Sequence, residues 1–268
     1  MRLRYGTLIV WLLALALVAV GCGTQQTAQT GSGGEAADGK KTLVVGMDAS
    51  FAPFEYVDAN NQLTGFDVDL MKAIAKEAGF AVQFKNTSWE VLFLTLQNGE
   101  TDVLISGITI TDERKKTMDF SEPYFEAAQL IAVREDANVT QFADLKDKNL
   151  TVGVQTGSTA DTIVSELLGK TSPNIKRYET VPNAMQALQI GDVDVVVADN
   201  AVVQNYLKNN PDAKLKTVED EAFPKEYYGI AVKKGNKELL DKINKALKTL
   251  KENGTYDRLY EKYFGKAN

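Results

Sequence analysis

The chain has 268 residues, 44% of them hydrophobic and 25% charged, so it can bury one large core or two modest ones. Its 36 acids outnumber 30 bases for a net charge of -6, and Arg2 and Arg4 are the only charges in the first 22 residues, so the remainder is more acidic still and poorly suited to general nucleic-acid binding. There is no His and one Cys, Cys22, which excludes His-based catalytic triads, His metal sites and any intrachain disulfide.

Arg2 and Arg4 precede an apolar run from Thr7 to Val20 that closes on Ala19-Val20-Gly21-Cys22, the charged, apolar and small-residue regions of an export signal. The run is short for a bilayer span. A lone Cys directly after that small residue resembles a bacterial lipoprotein signal, in which the thiol is acylated and becomes the new first residue. Ala19 stands where such signals more often carry Leu, and the alternative is a free thiol beside an ordinary secretion signal. Residues 1–21 are therefore read as the signal, and residues 22–40, rich in Gly, Ser, Thr, Gln and Ala, as an acylated Cys and flexible tether.

The body repeats its own grammar. Leu43-Val44-Val45-Gly46-Met47-Asp48 and Leu150-Thr151-Val152-Gly153-Val154-Gln155 are β-rich runs each followed by a helical pattern. Leu96-Gln97-Asn98-Gly99 and Leu188-Gln189-Ile190-Gly191 each end a helix shortly before a continuously apolar strand, Val103-Leu104-Ile105 or Val195-Val196-Val197, of the kind buried on both faces. Between them the spacing predicts helices over Phe66 to Ala78, Trp89 to Leu96 behind a Ser88 cap, Asp161 to Leu168 and Pro182 to Ile190. The pattern predicts two α/β lobes with mainly parallel sheets.

Tyr228 to Val232 reads as one further strand, and Lys237 to Leu250 and Thr255 to Phe264 as amphipathic helices too few for a third domain. If they complete the first lobe, residues 41–124 with 229–268 form one lobe, 129–224 the other, and the chain crosses twice, near 124–128 and 224–228, as a two-strand hinge. Ligands in open α/β sheets bind at the carboxyl ends of the strands. Those ends are Asp48, the stretch from Ser106 through Gly107 to Thr109, Gln155 to Thr159, and Ala198-Asp199.

Each candidate there has a plainer alternative. Asp199 ends an apolar strand where an unpaired charge is costly and a ligand cation would pair it, or it caps a helix over Asn200 to Leu207. Arg114 sits early in a polar helix where its guanidinium can fork onto a carboxylate, or it belongs to a solvated face, as Lys115 and Lys116 are read to do. Thr156-Gly157-Ser158-Thr159 opens a helix whose free N–H groups favour an anion. Phe51 and Trp89 follow the first two strands and can sandwich a flat side chain, or they are core. Asp67 lies in the first turn of a helix, where a dipole role explains it equally well.

At these residues the sequence resembles the extracytoplasmic solute-binding proteins for polar amino acids of ABC importers, family 3, in the branch that binds arginine, other basic amino acids or glutamine. The resemblance spans essentially Lys41 to Gly265. It rests on Gly65-Phe66-Asp67-Val68-Asp69-Leu70, Gly107-Ile108-Thr109-Ile110-Thr111-Asp112-Glu113-Arg114, Asp119-Phe120-Ser121, Tyr228-Gly229-Ile230 and Glu252-Asn253-Gly254-Thr255-Tyr256 before Tyr263-Phe264-Gly265. It implies a two-lobed periplasmic-binding-protein-like α/β fold of type II, with two βαβ lobes on a two-strand hinge, no cofactor or metal and no catalysis.

The resemblance further implies that Arg114 grips a ligand α-carboxylate with the N–H groups of Thr109 and Thr159. Asp199, the Gly107 carbonyl and the Thr109 hydroxyl then hold the α-ammonium, Phe51 and Trp89 bracket the side chain and Asp48 faces its tip, so that both ligand charges are paired. Ser106, Asp67 and Gln155 complete the expected set. Glutamine binders of the family tend to carry Lys at the position of Gln155 and His at that of Ala198, and this chain has neither. Two rings able to stack on a guanidinium and the acidic Asp48 favour arginine, with lysine, ornithine or histidine as lesser ligands and glutamine as the runner-up. The implied protein is a monomeric lipoprotein outside the cytoplasm, anchored at the membrane, that delivers its ligand to an ABC permease by hinge closure. The rivals are a periplasmic dehydratase-like enzyme and a sensory binding domain.

Overall fold

The computed structural model describes residues 40–266, so the export signal, Cys22 and the tether up to residue 39 lie outside the described residues. The strand Thr42–Met47 buries Leu43, Val45 and Met47 and pairs in parallel with Ala81–Asn86 on one side and Val103–Leu104 on the other. Ala231–Lys233 joins Val103–Leu104 antiparallel and carries Met118–Phe120 on its far side, completing a five-stranded sheet. A second sheet follows the same plan. Val152–Gln155 runs parallel between Ile175–Tyr178 and Val195–Asp199, with Gln129–Arg134 and then Leu215–Val218 antiparallel beyond. In each sheet two pairings are parallel and two antiparallel, and the parallel set includes the apolar strands Val103–Leu104 and Val195–Asp199.

Helices cover both sheets. Phe66–Ala78 buries Phe66, Leu70, Met71 and Ile74, the residues whose helical spacing defines its inner face. Lys237–Glu252 sets Ile243, Leu247 and Leu250 into the same core, and Thr255–Phe264 packs its aromatic face against it. Trp89–Asn98, Thr159–Leu168 and Val181–Ile190 begin within two residues of the starts that periodicity predicts. Ser88 occupies the N-cap position of Trp89–Asn98, but its side chain makes no capping hydrogen bond.

One expected strand divides. In place of Tyr228 to Val232, Glu226–Tyr228 pairs antiparallel with Phe125–Ala127 in a separate two-stranded ribbon, and Ala231–Lys233 enters the first sheet. The chain changes sheets at Gly229, where an added Cβ would lie 2.8 Å from the Ile110 side chain. Periodicity along the segment does not register that change of partner, because Tyr228 to Val232 are all buried. Each ribbon strand lies in the chain between a strand of the first sheet and one of the second, and the segment around Thr109 lies against the ribbon: Ile110 N–H donates to the Tyr227 carbonyl at 2.8 Å, and Gly229 N–H to the Ile108 carbonyl at 3.0 Å.

Candidate functional site

The carboxyl ends of the two parallel strand sets face a common cavity lined by residues that follow both sheets. The first lobe contributes Asp48, Phe51, Trp89, Ser106, Gly107, Thr109 and Arg114, and the second contributes Gln155, Ser158, Thr159 and Asp199. Ser158, part of the helix start that the sequence singled out, is the N-cap of Thr159–Leu168 and accepts from Asp161 N–H. Asp67 is the one candidate that does not line the cavity.

Charge is arranged by sign. Arg114 donates from Nη1 to the Thr109 carbonyl at 2.9 Å, and its guanidinium carbon lies 5.2 Å from the Trp89 ring centroid and 5.3 Å from that of Phe93. Among the described residues its guanidinium forms no ion pair. Desolvation lowers its pKa to about 10 against the opposing pull of Asp199 and Glu226, so it stays protonated at neutral pH. Lys115 and Lys116, by contrast, are exposed and pair with Asp112 and Glu113 on their own helix.

Asp199 stands at the N-cap of Asn200–Asn209, yet its side chain makes no cap hydrogen bond. It accepts instead from Tyr228 Oη–H at 2.7 Å and from Gln129 Nε2. Burial, reinforced by the nearby charge of Glu226, raises its pKa to about 7 despite those hydrogen bonds and the Arg114 charge. A carboxylate so destabilised has much to gain from an ammonium group.

Asp48 defines another part of the wall. Its backbone N–H donates to Ser106 Oγ at 3.0 Å, its carboxylate accepts from Ser50 Oγ at 2.8 Å, and Gln155 Nε2 reaches it only at 3.5 Å across the lobes. Burial raises its pKa as well. Phe51 stacks on Phe54 with centroids 5.8 Å apart, and Trp89 meets Phe93 edge to face at 4.9 Å. Each ring therefore belongs to a hydrophobic core and also borders the cavity. Gly107, at φ +53°, lies so close to Phe51 that a Cβ there would stand 2.5 Å from the ring.

Beneath this wall lie acids that sequence reasoning placed differently or missed. Asp67 is fully buried and accepts from Gly107 N–H at 3.0 Å and Tyr124 Oη–H at 2.7 Å, so it holds the Gly107 turn from behind. Glu55, equally buried, accepts from Ser106 Oγ at 2.7 Å. Glu55 Oε2 and Asp67 Oδ1 have no hydrogen-bond partner among the described residues, and burial pushes both pKa values up, with the neighbouring Asp67 charge adding to the rise at Glu55. Glu226 and Gln129 were missed too. Glu226 accepts from Thr109 Oγ1 at 2.8 Å, Thr159 Oγ1 at 2.9 Å and Gln129 Nε2 at 3.0 Å. The available signals were acids set among aromatics, in Pro53-Phe54-Glu55-Tyr56 and Glu226-Tyr227-Tyr228.

Two lobes, a double-stranded connection and a cleft carrying a cation opposite an anion define a binding protein for a small zwitterion. The chain belongs to the bacterial extracellular solute-binding proteins, family 3, whose model matches residues 43–266. It is 47% identical over 231 residues to a probable histidine-binding protein of Neisseria gonorrhoeae, covering 86% of each chain. The arginine-, lysine-, histidine-binding protein of Geobacillus stearothermophilus superposes with a TM-score of 0.81 at 47% identity, over 85% of this chain and 97% of that one. An ancestral arginine-binding protein solved with arginine is 49% identical with a TM-score of 0.79, over 84% of this chain and 98% of that one. An ancestral arginine-binding protein solved with glutamine is likewise 49% identical, with a TM-score of 0.78, over 84% of this chain and 98% of that one. The matched family is one of extracellular solute-binding proteins, and the relatives named above are binding proteins, not enzymes, which sets aside the dehydratase reading. Among the described residues no helix is long and apolar enough to cross a membrane, and no cluster of acids or Cys is arranged to hold a metal ion.

Proposed function

We propose that the protein is the binding subunit of an ABC importer for basic L-amino acids, with arginine the preferred ligand. The observation that carries the reading is the pair Arg114 and Asp199: a guanidinium with no ion pair among the described residues and a carboxylate with a raised pKa line one cavity. Arg114, with the N–H groups of Thr109 and Thr159, takes the α-carboxylate bidentately. Asp199, with the Gly107 carbonyl and the Thr109 hydroxyl, takes the α-ammonium. Asp48 and the Phe51 and Trp89 rings then receive a cationic side chain, the rings contributing about 0.5–2 kcal/mol.

The lobes, residues 41–124 with 229–268 and residues 129–224, close about the ribbon at 125–127 and 226–228, and the closed form docks on the permease. The relatives named for arginine, lysine and histidine support the basic class. Glutamine is the second reading, favoured by the neutral Gln155 amide in the wall and by the glutamine-bound ancestral relative. Cys22 carries the lipid that keeps the protein at the membrane surface.

Equilibrium dialysis of the purified protein with labelled arginine tests the reading. The expected result is stoichiometric retention of arginine that is recovered chemically unchanged. Failure to retain it, or its conversion, overturns the proposal. Mass spectrometry of the membrane-associated protein tests the anchor, and an unmodified Cys22 thiol would return the protein to plain secretion.

A further inference from the structure

Glu226 does not line the cavity, yet it accepts hydrogen bonds from both sides of it. It sits on the strand Glu226–Tyr228, and its Oε2 takes the hydroxyl proton of Thr109 from the first lobe at 2.8 Å and that of Thr159 from the second at 2.9 Å. A threonine hydroxyl has one proton to donate and two lone pairs to accept with. Once that proton is committed to Glu226, each hydroxyl can meet a ligand only as an acceptor.

The neighbouring groups are biased the same way. Tyr228 Oη–H is spent on Asp199, and Gln129 Nε2, with two protons, is within reach of Asp199, Glu226 and Thr159 Oγ1, the last two at 3.0 and 3.1 Å. Gln129 Oε1 is buried and has no partner among the described residues. This part of the site thus offers a ligand lone pairs and no side-chain hydroxyl proton, whereas Arg114 and the backbone N–H groups offer donors.

We infer that Glu226 is a positioning residue that fixes the polarity of the Thr109 and Thr159 hydroxyls, making them acceptors for the ligand's ammonium group and tying both lobes to the hinge strand. The inference rests on the amino-acid reading above and adds to it the residue that separates an ammonium pole from a carboxylate pole. Replacing the carboxylate by an amide of the same shape supplies a donor, Nε2, where two hydroxyl protons now converge. At least one threonine must then turn its proton toward the ligand, where it opposes the ammonium instead of accepting from it.

The test is a mutant cycle read by calorimetry with L-arginine on the whole protein, using Glu226→Gln, Thr109→Val and the double variant. Circular dichroism and melting without ligand establish that each variant is folded. Glu226→Gln is expected to weaken arginine binding about tenfold or more, since a mismatched buried polar group costs that order of energy. In the Thr109→Val background the same change should cost less than about threefold, because the hydroxyl it acts through is gone. A second readout uses 5-guanidinopentanoate, arginine without its α-amino group, titrated at millimolar concentration; Glu226→Gln should leave its weak binding unreduced or bring none where the parent has none.

Unchanged arginine affinity in Glu226→Gln overturns the inference, and so do losses that multiply in the double variant, since they would place the effect outside the hydroxyl. Both outcomes leave the amino-acid reading standing. Absence of arginine binding to the unaltered protein removes that reading and the inference together.

Discussion

Asp199 makes ligand binding depend on pH. Its pKa is raised to about 7, first by burial and then by Glu226, while Tyr228, Gln129 and Arg114 pull it down. The ligand's ammonium pairs with the ionised carboxylate, so below pH 7 a proton must leave before binding, and above pH 7 it has already gone. If the bound carboxylate titrates well below the range studied, apparent affinity falls about tenfold from pH 8 to pH 6, or about 1.4 kcal/mol. Arg114, with a pKa of about 10, stays charged over this interval and contributes no slope. Calorimetry with arginine at pH 6 in two buffers of different ionisation heat should register close to one proton released per ligand bound, and much less at pH 8. An affinity that stays flat from pH 6 to 8, with no buffer dependence of the heat, would refute the assignment of Asp199 to the ammonium.

Three further outcomes follow from named contacts. Arg114→Gln removes the one cation that lines the cavity among the described residues and is expected to cost about 2–5 kcal/mol of arginine affinity, measured by titration, with the fold intact by circular dichroism. Gly107→Ala puts a Cβ 2.5 Å from Phe51 at a φ of +53°, so it should lower the melting temperature by the equivalent of about 1–3 kcal/mol and weaken binding as Phe51 is displaced. Asp48, Glu55, Asp67 and Asp199 all have raised pKa values in the folded protein, so it binds more protons than the unfolded chain between about pH 5 and 7. Stability without ligand should therefore fall as pH rises through that window, and a melting temperature that climbs instead would contradict the burial of these acids.

The parts of the fold that were legible in sequence are those set by local pattern. Val195-Val196-Val197 reads as a strand buried on both faces because every residue is apolar, and Asp199 reads as a cleft residue because it ends that run. The two five-stranded sheets with matching order answer to the repeated strand-and-helix grammar. What stayed hidden depends on which strands meet. Nothing local to Tyr228 to Val232 indicates that Glu226–Tyr228 leaves for a ribbon with Phe125–Ala127, a pairing across about 100 residues of chain that is settled only when both lobes are in place.

The same holds for side-chain direction. Asp67 in the first turn of its helix has a dipole explanation and a cleft explanation, but Gly107 N–H and Tyr124 Oη–H, distant in sequence, draw it behind the wall. Glu226 is one acid in an acid-rich stretch until the fold brings two threonines, one from each lobe, onto a single oxygen. The Asp199 alternative is resolved in the opposite sense: the residue stands at the cap position while its carboxylate turns to Tyr228 and Gln129.

The most direct test of the central claim is calorimetry on protein unfolded and refolded to strip any carried-over ligand, titrated with arginine and, separately, with glutamine. Tight arginine and much weaker glutamine binding is the expected result, because Asp48, Phe51 and Trp89 line the cavity as an acid and two rings suited to a guanidinium. Tight glutamine with weak arginine binding would mean that Gln155 and its neighbours select an amide, and heat from neither would contradict the amino-acid site built on Arg114 and Asp199.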